Sequence, residues 1–238
     1  MNPLSKLMRK ILPLQYCGAV IVAAGSATRM GGIDKTFADL DGEPVLLRTV
    51  RAFAECECIK EIVVVVRQDK LMEAADLCEN IPKVVAVVPG GEDRPASVCN
   101  GLNALTKKVQ LAAIHDGARP LVTMEVIDRT VRAAHSYGAA APGVPVKDTV
   151  KIVHSSIVTE TPDRSTLQAI QTPQVFDVDL LKGALEKAKK DKAKITDDCS
   201  AVERMGMSVK IVEGDERNIK ITTPMDLKIA EMLLEELQ

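Results

Sequence analysis

Residues 18–35 read Gly-Ala-Val-Ile-Val-Ala-Ala-Gly-Ser-Ala-Thr-Arg-Met-Gly-Gly-Ile-Asp-Lys, an unbroken apolar run from Gly18 to Ala24 that opens into a loop of small residues. Continuous apolarity of this length is expected of a strand buried on both faces of a parallel sheet. The carboxyl end of such a strand is where open α/β sheets bind ligands. Small side chains there let backbone N–H groups approach phosphates, and Arg29 and Lys35 add positive charge. An ordinary strand-to-helix turn could use the same residues. The loop matches neither the Gly-Lys-Ser/Thr signature of phosphate-loop NTPases nor the GxGxxG dinucleotide pattern.

Working outward, the same apolar pattern recurs at Glu61–Val66, Val84–Val88 and Leu111–His115. Between these runs lie helical patterns at Pro44–Ala54, Asp69–Glu79, Arg94–Leu105 and Glu125–Ser136. Strands alternating with helices imply right-handed crossovers and a doubly wound sheet. The rhythm breaks after Gly143. Residues 144–175 carry Val150–Val153, a His-Ser-Ser turn and Ile157–Thr161, read as a β-hairpin excursion that must pack on something to be stable. Helices at Val178–Lys190 and Asp198–Arg204, a strand at Ser208–Val212 and an amphipathic helix at Pro224–Leu237 complete the pattern. Lys220 falls in a short apolar strand before that helix, where a lysine would ordinarily point to solvent.

Composition narrows the function. The 238 residues hold two Tyr, three Phe and no Trp, so the core must be aliphatic and a base-stacking platform for single strands is not expected. A formal charge of −2 argues against a nucleic-acid or anionic-membrane surface, and no apolar run reaches the ~20 residues of a membrane span. The six cysteines (17, 56, 58, 78, 99 and 199) include no CxxC pair and no partnering His cluster. Free thiols in a cytoplasmic protein are the reading, with Cys56-Glu57-Cys58 a coincidence of packing.

Two more loops follow expected strands: Pro89-Gly90-Gly91-Glu92-Asp93-Arg94-Pro95-Ala96-Ser97 and His115-Asp116-Gly117-Ala118-Arg119-Pro120. In an open sheet they converge on one crevice. There Asp116 could bind a metal or a hydroxyl and Arg119 a phosphate, or the two could simply pair and stiffen a loop.

Taken in order and spacing, AAGSATRM at 23–30, Lys35, GGEDRPAS at 90–97, HDGARP at 115–120, VKDTVK at 146–151, DRSTLQAIQTPQVF at 163–176 and NIKITTP at 218–224 resemble one family. It is that of the 2-C-methyl-D-erythritol 4-phosphate cytidylyltransferases. The resemblance implies a single Rossmann-like nucleotidyltransferase domain over 16–238, after an extension at 1–15, with a mostly parallel sheet. It also implies a protruding β-arm at about 144–175 that makes a homodimer. It implies CMP transfer from CTP to the methylerythritol phosphate in non-mevalonate isoprenoid synthesis, with Mg²⁺ present. By the same resemblance, Arg29 and Lys35 stabilise the transition state, and Lys220 and Arg164 position the second substrate's phosphate, Arg164 from a neighbouring subunit. Asp116, Arg119, Thr149 and Thr172 contact the sugar phosphate, while Ala23, Ala24, Gly25, Gly91, Glu92, Ser97 and Gly117 form the CTP loops. Metal ligands are not assigned. With so few rings, cytosine recognition is expected through backbone groups and small side chains such as Ser97.

Several positions depart from the family pattern: Thr28 stands where a second Arg is common, Asp34 where Pro often precedes the lysine, and Gly117 where Ala is usual. The Arg29-to-Lys35 interval is one residue short. The rival readings are a ribitol 5-phosphate cytidylyltransferase and a catalytically silent nucleotide-binding protein. The retained charged residues favour an enzyme.

Overall fold

The computed structural model describes residues 14–25 and 34–236. Arg29 and Thr28, most of the 1–15 extension and the short Arg29-to-Lys35 interval lie outside the described residues. Strand β1 is Cys17–Ala23; β2 (Asp39–Leu40) and β3 (Glu43–Pro44) form a small ribbon leading into helix α1, Val45–Glu55. Then follow β4 (Ile59–Val66), α2 (Leu71–Cys78), β5 (Val84–Pro89), α3 (Arg94–Ala104), β6 (Leu111–Asp116) and α4 (Met124–Tyr137). The second part comprises β7 (Ala139–Pro145), β8 (Ile152–His154), β9 (Ile157–Glu160), β10 (Gln168–Ile170) and β11 (Gln174–Asp177). Helices α5 (Val178–Lys190) and α6 (Asp198–Glu203), strand β12 (Lys210–Glu213) and helix α7 (Pro224–Glu235) close the chain.

The main sheet runs β10-β7-β11-β6-β1-β4-β5, with β12 also on β7. Strands β6, β1, β4 and β5 are parallel neighbours, as the repeated apolar runs require, and β12 is parallel to β7. Strand β11 enters antiparallel to both β6 and β7, and β10 antiparallel to β7. The result is a mixed α/β fold with a mostly parallel central sheet.

Alternation along β1 feeds two aliphatic layers. Cys17, Ala19, Ile21 and Ala23 face a layer containing Val50 and Phe53 of α1 and Ile127 and Val131 of α4. Val20 faces the other, with Leu102 of α3, Leu181 of α5 and Val202 of α6. Burying that many branched side chains on both faces, at roughly 25 cal/mol per Å² of apolar surface, is the dominant stabilising term. Helix α3 comes down onto the sheet at Gly101, where a Cβ would lie 2.3 Å from Val20 Cγ1 and 2.9 Å from Val65 Cγ2. A side chain there would push the helix, and with it the loop at its amino end, off the sheet.

The hairpin excursion is narrower than 144–175. Its ends belong to the main sheet as β7, β10 and β11, and only β8 and β9 form a separate two-stranded ribbon. Both strands of that ribbon are exposed, including Val153, Ile157 and Val158. All six cysteines are free thiols, and Cys56 and Cys58 face each other with Sγ atoms 3.1 Å apart.

Candidate active site

The loops after β1, β5 and β6 converge on a cleft of about 350 Å³ lined by Ala23, Ala24, Gly25, Lys35, Gly91, Glu92, Ser97, Asp116 and Lys220. One wall is made of small residues and backbone. The Ser97 hydroxyl donates to the Asp93 carbonyl (2.9 Å) and accepts from the Gly91 N–H (3.0 Å), so its one proton is committed to shaping the turn. Asp93 caps α3 through the Ala96 N–H at 2.7 Å. Lys35 enters from a segment anchored by its neighbours. Asp34 accepts from the Thr36 hydroxyl at 2.7 Å and pairs with Arg67 at 2.9 Å. An ion pair thus fixes the chain just before the lysine, the work the family's usual proline would do by ring geometry. Gly117 lies behind this wall, where a Cβ would come within 2.9 Å of Ala23 Cβ.

The opposite wall is a charge cluster centred on Asp116. Lys220 Nζ is 2.8 Å from one carboxylate oxygen, Arg119 Nε is 3.6 Å from the same oxygen, and Arg94 Nε is 3.8 Å from the other. Burial alone would raise the Asp116 carboxyl; the cations of Lys220, Arg94 and Arg119 outweigh it and hold the group well below the usual carboxylate range. Burial likewise pulls the Arg119 guanidinium down, against the opposing pull of Asp116. Arg94 is held by Asp198 at 2.8 Å, a carboxylate almost wholly buried at the start of α6. Burial would lower the Arg94 guanidinium, and the Asp198 charge reverses that and raises it.

Lys220 corrects the sequence expectation in both respects. Residues 218–223 form no strand, being held instead by the Ile221 N–H to the Ala118 carbonyl at 2.8 Å, and the lysine turns inward to Asp116. The buried carboxylate supplies the partner that a solvent-facing lysine would lack.

Residues 171–174, running from the end of β10 into the start of β11, hold this wall together. Gln171 donates to the Asp215 carbonyl (2.7 Å) in the turn before Lys220, and Asn218 donates to the Thr172 carbonyl (2.9 Å). Gln174 accepts from the Asp198 and Cys199 N–H groups (3.0 and 3.1 Å) and donates to Asp197 (2.9 Å), which sets the start of α6 and so the position of Asp198. Thr172 accepts from the Asp116 N–H at 3.1 Å.

Thr149 and Arg164 are exposed and do not line the cleft of their own chain. Arg164 lines a separate groove at the base of the hairpin ribbon and donates to the Lys147 carbonyl at 2.6 Å. Arg119 stands behind the cleft rather than in it, donating to the Asn218 carbonyl at 2.6 Å. Residue-type reasoning passed over Arg94, His115, Gln171, Gln174 and Asp198. Arg94 did carry a signal: an arginine in the first turn of a helix opposes the helix dipole and needs an acidic partner from elsewhere.

A Rossmann-like sheet whose small-residue strand-end loops face a cationic wall across one cleft has the architecture of a nucleotidyltransferase. The family model for 2-C-methyl-D-erythritol 4-phosphate cytidylyltransferases (IspD) matches residues 17–236. The cytidylyltransferase of that name from Caldanaerobacter subterraneus subsp. tengcongensis is 49% identical over 225 residues, covering 91% of this chain and 97% of its own. The crystal structure of the 4-diphosphocytidyl-2C-methyl-D-erythritol synthase of Anaerococcus prevotii superposes with a TM-score of 0.85 at 33% identity, covering 93% of this chain and 96% of that one. The Thermus thermophilus cytidylyltransferase gives 0.76 at 32% identity, covering 93% of this chain and all of that one. The chain belongs to the 2-C-methyl-D-erythritol 4-phosphate cytidylyltransferase family.

Proposed function

We infer that the protein transfers the cytidylyl group of CTP to 2-C-methyl-D-erythritol 4-phosphate, yielding 4-diphosphocytidyl-2-C-methyl-D-erythritol and pyrophosphate for isoprenoid precursor synthesis. Besides family membership, the observation that carries this reading is the Lys220–Asp116 pair facing the small-residue loops across one cleft. A nucleotide binder would need only the loops. A transferase needs a second phosphate held within reach of the first.

In the reaction an oxygen of the acceptor phosphate attacks the α-phosphorus in line, the bond from the α-phosphorus to the bridging oxygen breaks, and pyrophosphate leaves with the electron pair. Negative charge grows on the non-bridging and leaving oxygens, so fixed cations do most of the catalysis and no covalent protein intermediate is needed. Lys35, with Arg29, serves the triphosphate. Lys220, held by Asp116, draws the acceptor phosphate in, and Asp116 is an acceptor for polyol hydroxyls. Glycine-loop N–H groups and the small residues after β1 receive the nucleotide.

Mg²⁺ in this reading enters with the triphosphate, since Asp116 is already surrounded by three cations and is a poor ligand for a fourth, while Glu92 lines the nucleotide side of the cleft. Phosphate oxygens and water would hold it, with Glu92 at the rim as the protein's share. When bound, Mg²⁺ supplies charge neutralisation on the triphosphate and the leaving pyrophosphate.

The protein is a homodimer in this reading. A lone two-stranded ribbon is marginal in water, and the exposed Val153, Ile157 and Val158 give it an apolar surface for a second copy. Arg164 of the partner subunit then completes the acceptor site. Among the described residues no helix is long and apolar enough to cross a membrane. In this reading the enzyme is cytoplasmic and its partners are small phosphates rather than nucleic acid. The test is pyrophosphate release with CTP and Mg²⁺, run separately with methylerythritol phosphate and ribitol phosphate. Release with the former is expected; release only with the latter reassigns the acceptor, and none from folded protein removes the transferase reading.

A further inference from the structure

His115 is the one wholly buried imidazole among the described residues, and the transfer chemistry gives it nothing to do. Its ring lies 4.7 Å from that of Phe53, with Nδ1 3.0 Å from the Thr172 hydroxyl and Nε2 3.2 Å from the Arg119 carbonyl. A carbonyl only accepts, so Nε2 carries the proton. Nδ1 is therefore the acceptor, and the Thr172 hydroxyl donates to it. The same hydroxyl accepts the Asp116 N–H at 3.1 Å. The chain of bonds has a single direction: Asp116 N–H to Thr172 O–H to His115, and His115 N–H to Arg119. Desolvation by burial pushes the imidazole down to about 3, so it stays neutral and the direction does not change around neutral pH.

We propose that His115 is a positioning residue for the acceptor half of the site, acting through Thr172 to hold the Asp116–Arg119 turn and with it Lys220. The Gly117 N–H to the Val22 carbonyl (2.8 Å) and the Thr49 hydroxyl to the Gly117 carbonyl (3.1 Å) tie the middle of the turn to β1 and α1, and the Arg119 guanidinium reaches the Asn218 carbonyl (2.6 Å); Thr172 is the side chain that holds the turn's first N–H. The Arg119 N–H to the Asp116 carbonyl (3.1 Å) closes it, and the Ile221 N–H to the Ala118 carbonyl (2.8 Å) links it to the Lys220 segment. With its proton directed to His115 and its oxygen accepting the Asp116 N–H, the Thr172 hydroxyl is committed to the turn; the residue is buried behind the cleft and does not line it. Because Asn218 donates to the Thr172 carbonyl at 2.9 Å, the same residue also joins the turn to the Lys220 segment from the other side.

The proposal rests on the assignment of Asp116 and Lys220 to the acceptor, so Asp116→Asn is assayed alongside. His115→Phe keeps an aromatic ring on Phe53 and removes both hydrogen bonds. It is expected to raise the KM for the acceptor phosphate about 10-fold, the scale of leaving buried polar groups unpaired, while the KM for CTP stays as in the wild type. His115→Asn, which can present an acceptor near the Nδ1 position, restores most of the loss. Thr172→Val mimics His115→Phe, Thr172→Ser does not, and the His115→Phe/Thr172→Val double variant loses no more than either single one. Should His115→Phe fail to fold, His115→Asn and the two Thr172 variants carry the test. Acceptor and CTP KM values rising together, additive losses in the double variant, or Thr172→Val behaving as wild type overturns the proposal. If Asp116→Asn itself leaves the acceptor KM unchanged, the site assignment fails; if only the His115 and Thr172 variants are silent, the positioning role alone fails.

Discussion

On the nucleotide side of the cleft, Ala23, Ala24 and Gly25 stand at the end of one strand and Gly91 and Glu92 follow another, the second loop fixed by hydrogen bonds within itself, Ser97 to Asp93 and Gly91. On the acceptor side, Arg94, Asp116, Arg119 and Lys220 come from three distant stretches of chain and are fixed by one another, by Asp198 and the Asn218 carbonyl, and by residues 171–174. The first wall is local and nearly neutral; the second is non-local and charged. A local wall survives when a distant residue changes. In a charge cluster, each member leaves the others buried without a counter-charge when it is lost.

That difference can be broken at several points. The largest effect is expected at Lys35: Lys35→Ala lowers kcat by at least ~10²-fold in steady-state assays, the scale of losing one electrostatic stabiliser of a transition state. A turnover near the wild type removes Lys35 from the mechanism. Next comes Arg164→Glu, which is expected to cut kcat/KM for the acceptor at least ~10-fold, since it replaces a charge-assisted contact by repulsion. Unchanged kinetics in a variant that sedimentation shows to be dimeric would mean that each chain completes its own site.

Stability should show the contrast as well. Arg94→Leu leaves Asp198 buried without its cation and is expected to cost about 3 kcal/mol in urea unfolding, whereas a loss under half that would mean that Asp198 takes up a proton or reaches water. A smaller, graded effect belongs to His115. Its imidazole in the folded protein is pushed down to about 3 by burial, whereas in the unfolded chain it titrates near 6.5. Between those values the unfolded chain binds the extra proton, so stability falls as pH falls, by up to ~1.4 kcal/mol per pH unit from this group. Urea unfolding from pH 6.5 downward checks it, and His115→Asn flattens the slope; an unchanged slope puts the acid sensitivity in the carboxylates.

The same contrast decides how much could be read from the chain alone. Strands β1, β4, β5 and β6 and the helices between them follow from apolar periodicity to within a few residues, because burial on both faces leaves a continuous pattern. Strand β7, Ala-Ala-Ala-Pro-Gly-Val-Pro, escaped, since alanine, glycine and proline have poor strand propensity and only its three neighbours in the sheet make it a strand. The loops after β1 and β5 were legible as a phosphate site from small residues at strand ends. Lys220 was legible as a site residue through family resemblance and not through its own surroundings, because its partner Asp116 lies 104 positions away. Gln171, Thr172 and Gln174 carry a similar lesson: a Gln-Thr-Pro-Gln run at the junction of two short strands has no periodicity to betray that its side chains tie together the Lys220 segment, the Asp116 turn and α6. The departures at Asp34 and Gly117 proved to be local substitutions, one an ion pair in place of a ring and the other a close approach to β1.

The division of the cleft into a nucleotide wall and an acceptor wall is tested most directly at Lys220. In Lys220→Ala, the KM for CTP and the KM for 2-C-methyl-D-erythritol 4-phosphate are measured separately with Mg²⁺ present. The expected result is an acceptor KM raised by roughly 10- to 100-fold, as for loss of a charge-assisted hydrogen bond, with the CTP value unchanged. A rise in the CTP value with the acceptor value unmoved would contradict the assignment of the two walls.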